Sequence, residues 1–258
     1  MKNISFFTNN ACYPNVWLRM YIGIDFALTQ TKALPIAILQ KNEGVLNLVS
    51  AQNPPEGPGL KVLWDTEAKE KYFLKLEHWF QKIQNEYNQP ILQIALDCPT
   101  MFCPKNKTIR SSEQEILHKG IKIFKTPTQE NLEIKIEEIR QKLNAGTIKK
   151  VSGFTLWMYF AVEFANFIQQ FAPVIEVFPH WFWQNRLGID YKKSPIQISQ
   201  KFEILESEFN LSRNEINSKT TGLEADKLDA TYCALVASKK EDKLQTAGEA
   251  KDLIYALI

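Results

Sequence analysis

The chain has 258 residues, of which 45% are hydrophobic and 23% charged, and its formal net charge is +2 at neutral pH. This composition is that of an ordinary globular protein with enough apolar material for one large domain or two small ones. The near-neutral charge excludes a general attraction to polyanions, so any contact with nucleic acid requires local clusters of Lys and Arg.

The cysteines and the N-terminus favour a reducing compartment. Cys12, Cys98, Cys103 and Cys233 lack the paired CxxC spacing of a structural zinc site, and we interpret them as reduced thiols. The N-terminus lacks the run of about 7 to 15 apolar residues that a signal peptide contains, and no segment approaches the roughly 18 that cross a bilayer. We therefore expect a cytoplasmic protein without a membrane partner.

Short β-prone runs predict that a sheet begins near residue 19, after an irregular N-terminal arm over residues 1–18. The runs at residues 20–27, 34–40 and 45–50 are separated by turn-like residues. This pattern predicts three antiparallel strands that follow one another in the sheet.

A helix and a buried strand follow this meander. Apolar side chains recur at helical spacing over residues 67–87, which predicts an amphipathic helix. Residues 91–96 (ILQIAL) are nearly all apolar, as expected of a strand covered on both faces, and Pro99 ends the pattern. The order of strand, helix and strand predicts a crossover connection.

The rest of the chain is predicted to be mainly helical, with a long loop at residues 100–127 that contains a short helix. The predicted helices cover residues 113–119, 129–143, 155–171 and 224–239, and one more buried strand covers residues 174–178. The last helix has one apolar face, formed by Ala225, Leu228, Tyr232, Leu235 and Val236.

Two aspartates stand where buried strands end. Asp25 follows the first strand and Asp97 follows the fourth. If these strands are parallel neighbours, the two carboxylates lie side by side at the carboxyl edge of the sheet, which is the usual ligand crevice in sheets with crossover helices. The structural alternative is that each Asp caps a turn.

A second pair of acids lies on the last predicted helix. Asp226 and Asp229 are three residues apart, so they occupy neighbouring positions on one helix, and Asp229 borders its apolar face. They can therefore point at the sheet. Several carboxylates at one point are stable only when some are protonated or a cation compensates them, and Mg²⁺ or Mn²⁺ suits an all-oxygen site.

Five motifs that carry these acids resemble the DUF429 family, a set of proteins predicted to be nucleases with the ribonuclease H-like fold. The resemblance spans most of residues 20–240. The motifs are GIDFA at 23–27, ALDCP at 95–99, RSSE at 110–113 leading to KGIKIFKTP at 119–127, IEVFP at 175–179, and ADKLDATYCALVA at 225–237. The last also resembles the C-terminal helix of RuvC-type junction resolvases, where two aspartates three residues apart complete a metal site.

The resemblance implies an α/β fold with a mixed five-stranded sheet in the order 3-2-1-4-5, flanked by helices. It implies one ribonuclease H-like domain over residues 19–258, with a helical insertion around residues 100–171. Junction-cleaving relatives act as dimers, and the aromatic helix at residues 157–171 could supply a homodimer interface.

The resemblance also implies a metal-dependent nuclease that acts on DNA or RNA. Asp25, Asp97, Asp226 and Asp229 would be the catalytic ligands of two Mg²⁺ or Mn²⁺ ions, with Asp25 bridging them. The pair of ions would activate a water and stabilise the leaving oxygen of a phosphodiester.

Basic residues near the middle of the chain are candidates for binding substrate. The guanidinium of Arg110 could hold phosphate through two hydrogen bonds, and Lys105 and Lys107 precede it. The alternative is a solvated basic loop without a specific role.

Further candidates are two acids and an aromatic cluster. Glu176, inside an apolar strand, is either a partnered structural group or an additional member of the site, and Glu113, in the predicted helix at 113–119, is a further candidate member of the site. His180 and the following Trp181, Phe182 and Trp183 could stack on bases, but we favour a helix core because aromatic residues are commonly buried.

Two other functions remain open at this stage. The segment GIDFALT at residues 23–29 resembles the first phosphate loop of the actin, sugar-kinase and Hsp70 fold, which suggests a nucleotide phosphotransferase or ATPase. Ala27 weighs against it, because those proteins place a glycine there to admit phosphate. The other alternative is a non-catalytic module that binds nucleic acid or protein on the same fold.

Overall fold

The computed structural model describes residues 19–26, 32–147, 154–188, 196–249 and 251–258. The predicted N-terminal arm, residues 1–18, lies outside the described residues. So does Ala27, the position that weighed against a phosphate loop.

The described residues form one mixed sheet of seven strands flanked by helices. The strands are β1 (Arg19–Ile24), β2 (Ile36–Asn42), β3 (Val45–Val49), β4 (Ile91–Leu96), β5 (Val174–Val177), β6 (Leu244–Glu249) and β7 (Asp252–Leu257), in the spatial order β3-β2-β1-β4-β5-β7-β6. Neighbours from β1 through β4 and β5 to β7 are parallel, whereas the β1–β2, β2–β3 and β6–β7 pairs are antiparallel. The predicted antiparallel meander is confirmed, and so is the crossover connection, which runs from β3 through α1 to β4 and places β4 parallel to β1.

The prediction of a five-stranded sheet was wrong in one respect, because a C-terminal hairpin extends the sheet beyond β5. We expected only helical segments after residue 179, but β6 and β7 form two more strands. In β6 (LQTAGE) only Ala247 is buried, so the local sequence has no apolar face that would identify a strand. Its conformation depends on pairing with β7 rather than on its own pattern.

The helices agree closely with the predicted segments. They are α1 (Thr66–Tyr87), α2 (Ser111–His118), α3 (Gln129–Asn144), α4 (Phe154–Ile168), α5 (Pro179–Leu187), α6 (Gln197–Phe209), α7 (Arg213–Lys219) and α8 (Glu224–Ala237), with short 3-10 helices at Leu60–Leu63 and Glu241–Lys243. Helix α1 begins after Asp65, whose carboxylate accepts a hydrogen bond from the N–H of Ala68 (3.0 Å). It ends at Asn88 in the left-handed conformation.

Apolar side chains on opposite faces of the sheet form two core layers. Alternate residues of β1 point to opposite faces, so Ile22 packs with the layer of α1 and α4, and Tyr21 packs with the layer of α8. In the first layer Phe167 of α4 stacks on Phe73 of α1, with ring centroids 4.3 Å apart. The aromatic helix that we considered as a dimer interface thus contributes rings to the core of its own chain, and a homodimer stays a prediction.

Gly23 of β1 allows α8 to lie directly on the sheet. A Cβ atom at this position would lie 2.1 Å from both the carbonyl oxygen of Ala230 and the amide nitrogen of Ala234. Both atoms belong to the helix backbone, which cannot move aside without displacing the whole helix. Any residue other than glycine would therefore push α8 away from β1.

Gly23→Ala should destabilise the fold by about 3 kcal/mol, at the upper end of the cost of overpacking a core, because the clash is with backbone and not with a flexible side chain. Urea unfolding followed by circular dichroism measures this change. A free energy of unfolding within about 0.5 kcal/mol of the wild-type value, as is usual for a surface substitution, would contradict the close contact.

No helix among the described residues is both long enough and apolar enough to span a bilayer.

Candidate active site

The backbone places Asp25 and Asp97 side by side. The parallel register pairs Ile24 of β1 with Leu96 of β4, and each aspartate follows directly. The N–H of Asp97 donates to the carbonyl oxygen of Ile24 (2.9 Å), and the N–H of Asp25 donates to the carbonyl oxygen of Pro35 (3.1 Å). Both backbones are therefore fixed by hydrogen bonds of the sheet, at its carboxyl edge.

Helix α8 adds a third carboxylate to the same place. Asp25, Asp97 and Asp229 all line one cavity of about 530 Å³. Asp226 is not among its lining residues; its side chain is half-buried and accepts a hydrogen bond from the N–H of Leu223 at the start of the helix. The structure thus brings three of the four predicted acids together at the cavity and leaves Asp226 at the margin.

The acids at the cavity interact unfavourably with one another. Burial raises the pKa of Asp25 well above its usual value, and the negative charges of Asp97, Asp229 and Asp226, in decreasing order, raise it further. Burial also raises the pKa of Asp226. A cation bound beside Asp25 would remove this penalty.

One cation is already built into the chain, and the sequence analysis missed it. Lys201 of α6 is only 5% exposed and lines the cavity. Its Nζ donates to Oδ1 of Asp229 (2.9 Å) and lies 4.8 Å from the ring centroid of Trp183, whose Nε1 donates to the same oxygen (2.6 Å). The charge of Lys201 opposes the rise in the pKa of Asp25.

A sequence signal for Lys201 did exist. It lies on the apolar stripe of α6, between Ile198, Phe202 and Leu205, where a lysine interrupts an otherwise hydrophobic face. A charged residue at such a position is rarely buried without a partner. The partner, Asp229, is 28 residues away and could not be identified from spacing.

The donor set suits a hard divalent cation, although the side chains do not form a complete cage. Within the described ranges, no group of three or more His, Cys, Asp or Glu residues is arranged to hold a metal ion. Mg²⁺ commonly binds one or two carboxylates and completes its coordination with water and substrate phosphate. Asp25 and Asp97 provide such a pair of oxygen donors, while Asp229 is engaged by Lys201.

Arg110 does not face the cavity as a phosphate ligand, in contrast to our expectation. It is fully buried, and its guanidinium donates from Nη2 to Glu176 (2.9 Å) and from Nε to Asp252 of β7 (2.9 Å). Burial on its own would raise the pKa of Asp252, but the charge of Arg110 and hydrogen bonds from Ser112, Arg110 and Ser111 hold that pKa below its usual value. The arginine thus neutralises acids in the interior, and it is not placed to contact substrate.

Glu176 and Glu113 are partnered groups in the wall of the cavity. Glu176 accepts hydrogen bonds from Arg110 and from the N–H of Thr100 (2.9 Å), and Glu113 accepts from the N–H of Thr126 (2.9 Å). Burial raises the pKa of Glu113, although its hydrogen bonds and the charge of Arg110 oppose the rise. Both acids line the cavity, so they combine a structural role with a position near the three aspartates.

The remaining sequence candidates are divided between the core and the surface. Trp181, Phe182 and Trp183 are buried, which confirms a helix core, whereas His180 lines the cavity. Lys105 and Lys107 are exposed and line a separate cleft that borders the start of α3. The structure therefore does not place them with the aspartates.

The thiol at the cavity wall is not poised as a nucleophile. Cys98 follows Asp97 and is buried. Burial raises the pKa of Cys98 well above its usual value, and the charges of Glu176 and Asp97 raise it further. The thiolate is the reactive form, so this thiol stays protonated and inert at neutral pH.

Comparisons of this chain with protein-family models, with curated proteins and with solved structures found no match.

Asp25→Asn should stabilise the metal-free protein at neutral pH by about 1 kcal/mol, which raises Tm by about 2–4 °C for a chain of this size. The raised pKa means that folding favours the protonated carboxyl. Ionised Asp25 therefore lowers the stability of the wild type by its full amount above the raised pKa of the folded state, and by nothing below the unfolded-state pKa of about 4. The difference in Tm between the two proteins should shrink as the pH falls to 4. Thermal unfolding in EDTA at pH 7 and pH 4 measures it.

The exposed Asp242→Asn serves as the control and should leave Tm unchanged at both pH values. An Asp25→Asn protein less stable than the wild type at pH 7 would mean that Asp25 is held by favourable contacts and not strained by its neighbours.

Lys201→Met should bind Mn²⁺ roughly tenfold more tightly than the wild type, a change of about 1.4 kcal/mol, because it removes a competing cation and releases Asp229. Its stability without metal should fall, since Asp229 loses its charged partner. Isothermal calorimetry with Mn²⁺ at pH 7 tests this, with the exposed Lys71→Met as the control. Equal or weaker affinity in Lys201→Met would show that Lys201 does not compete with metal.

Proposed function

We propose that this chain is a divalent-metal-dependent nuclease that hydrolyses phosphodiester bonds. The observation that carries the proposal is the placement of Asp25 and Asp97 at the carboxyl ends of parallel neighbouring strands, with Asp229 of α8 on the same cavity. The raised pKa of Asp25 adds support, because this concentration of carboxylates costs the fold stability and suits a cation.

The arrangement of strands supports a fold of the ribonuclease H-like type. The first five strands have the order β3-β2-β1-β4-β5, with β2 antiparallel to both of its neighbours. This is the order that the resemblance to DUF429 implies. Helix α8, which carries two aspartates three residues apart, lies across β1. The C-terminal hairpin is an addition to that plan.

The residues have distinct roles in the proposed reaction. Asp25 and Asp97 would hold Mg²⁺ or Mn²⁺, which when bound would lower the pKa of a water and offset charge on the phosphate. Lys201 orients Asp229 and supplies a positive charge at the cavity, where Arg110 was expected to supply it. Glu113 and Glu176 keep their wall of the cavity in place through Thr126 and Thr100.

One observation favours a second candidate, a non-catalytic nucleic-acid binding module on the same fold. The Lys201–Asp229 ion pair neutralises one of the three cavity aspartates without any metal. A site that keeps such an internal cation could bind a ligand without hydrolysing it. Metal binding and cleavage distinguish the two candidates.

The test combines Mn²⁺ calorimetry with a cleavage screen on the wild type, Asp97→Asn and the exposed control Asp242→Asn. Labelled single-stranded and duplex DNA and RNA serve as substrates. We expect wild type and control to bind Mn²⁺ and cleave, and Asp97→Asn to lose both, with a rate at least about 100-fold lower because metal ions supply several kcal/mol of transition-state stabilisation.

Two results would contradict the proposal. Mn²⁺ binding without cleavage of any substrate would favour the binding module. Absence of Mn²⁺ binding at millimolar concentration, both with and without nucleic acid present, would remove the metal site itself.

A further inference from the structure

We infer that the cavity holds one unstacked nucleotide, with its base against aromatic side chains that include Phe124 and Trp157 and its phosphate towards Asp25 and Asp97. This inference rests on the proposed function, and it specifies the substrate as a nucleotide outside a base-paired stack. The juxtaposition of acids and aromatic rings on one cavity is the evidence for it.

The lining of the cavity combines two chemically different sets of side chains. One set comprises the three aspartates and Lys201, and the other comprises aromatic side chains of three separate segments: Phe124, Trp157, Phe178 and His180. A phosphodiester substrate has the same two parts, an anionic phosphate that needs cations and a base with an apolar face. Base–aromatic stacking works with any base, since each has a π-face.

Phe124 is exposed to an unusual degree. Its side chain is 63% exposed, and among the side chains that the structure describes it is the one Phe, Tyr or Trp in the exposed class. The ring lies at the cavity of the aspartates, where its exposed part can contact a ligand.

The loop that carries Phe124 is anchored on both sides. Before the ring, Ile121 is buried and its N–H donates to the carbonyl oxygen of Ile116 (3.2 Å). After it, the buried Thr126 donates its N–H to Glu113 (2.9 Å). The ring is therefore held at the cavity before a ligand binds, and pre-organisation of this kind reduces the entropy lost on binding.

The size and position of the cavity favour one nucleotide over a duplex. A volume of about 530 Å³ lies within the range of about 300–1,000 Å³ that small-ligand sites occupy. In a duplex the faces of the bases are covered by their neighbours, so a base can stack on aromatic side chains of the cavity only from a single strand or after it leaves the stack.

Binding of labelled dT12 and rU12 single strands, compared with blunt 12-base-pair duplexes, tests the inference by fluorescence anisotropy on the wild type. Ca²⁺, which takes oxygen ligands in a looser geometry than Mg²⁺, replaces Mn²⁺ to prevent cleavage, and EDTA replaces Ca²⁺ in a parallel series. We expect at least one single strand to bind about tenfold or more tightly than its duplex. Phe124→Ala should weaken that binding about 5- to 100-fold, as loss of one stacked base does.

Two variants identify stacking as the cause. Phe124→Tyr should keep the affinity, whereas Phe124→Leu, which is apolar but has no π-face, should lose most of it. Ile134→Ala is the control, because Ile134 is 53% exposed on α3 and does not line the cavity. Unlabelled thymidine monophosphate and uridine monophosphate, added as competitors, show whether a free nucleotide fills the cavity as well as one within a strand.

The outcomes separate this inference from the proposed function. Equal binding of single strand and duplex, no binding of either strand, or no effect of Phe124→Ala would overturn the inference, even if the wild type cleaves nucleic acid. Single-strand binding that depends on Phe124, without cleavage of any substrate by the wild type, would support the nucleotide cavity and contradict the nuclease.

Discussion

The contact between Gly23 and the backbone of α8 determines where the carboxylates of this chain lie. Because no Cβ separates them, the helix rests directly on β1, and the two backbones meet at Ala230 and Ala234. Asp229 immediately precedes Ala230, so the same contact brings its carboxylate to the strand end that bears Asp25. The neighbouring residues of Gly23 on β1, Ile22 and Ile24, face the opposite layer, so the close approach on one side does not weaken the core on the other.

The acids that line the cavity and those that contact Arg110 form two groups, which differ in how their charge is balanced. Glu113, Glu176 and Asp252 surround the buried Arg110, which supplies hydrogen bonds as well as charge. In the other group, Asp229 accepts a hydrogen bond from Lys201. Burial and the charges of Asp97 and Asp229 raise the pKa of Asp25, so a negative charge is costly at that position. Sites of catalysis commonly retain such a cost, because a fully balanced cluster would have no affinity left for a cation.

The sequence predicted those features that depend on local periodicity, and it did not predict those that depend on distant partners. The apolar stripe of α1 and the near-continuous apolar run of β4 identified both elements, and the ends of β1 and β4 identified Asp25 and Asp97. Arg110 was a candidate phosphate ligand, with a solvated basic loop as the alternative, because Lys105 and Lys107 precede it in the sequence. Its partner Asp252 is 142 residues away, on a hairpin that itself has little local signal. Burial of this kind is a property of the tertiary fold and cannot be derived from neighbours in sequence.

The unpredicted hairpin is connected to the mouth of the cavity through the buried ion pairs. Asp252 of β7 accepts hydrogen bonds from Arg110 and from the hydroxyl of Ser112 (2.6 Å), and the N–H of Gly248 of β6 donates to Glu115 (2.8 Å). These contacts hold α2 against the hairpin, and α2 provides Glu113. Glu113 in turn accepts from Thr126, which follows Phe124 by two residues. The network around Arg110 therefore acts on the site indirectly: it does not touch a phosphate, but it fixes the loop that presents an aromatic ring to the cavity of the aspartates.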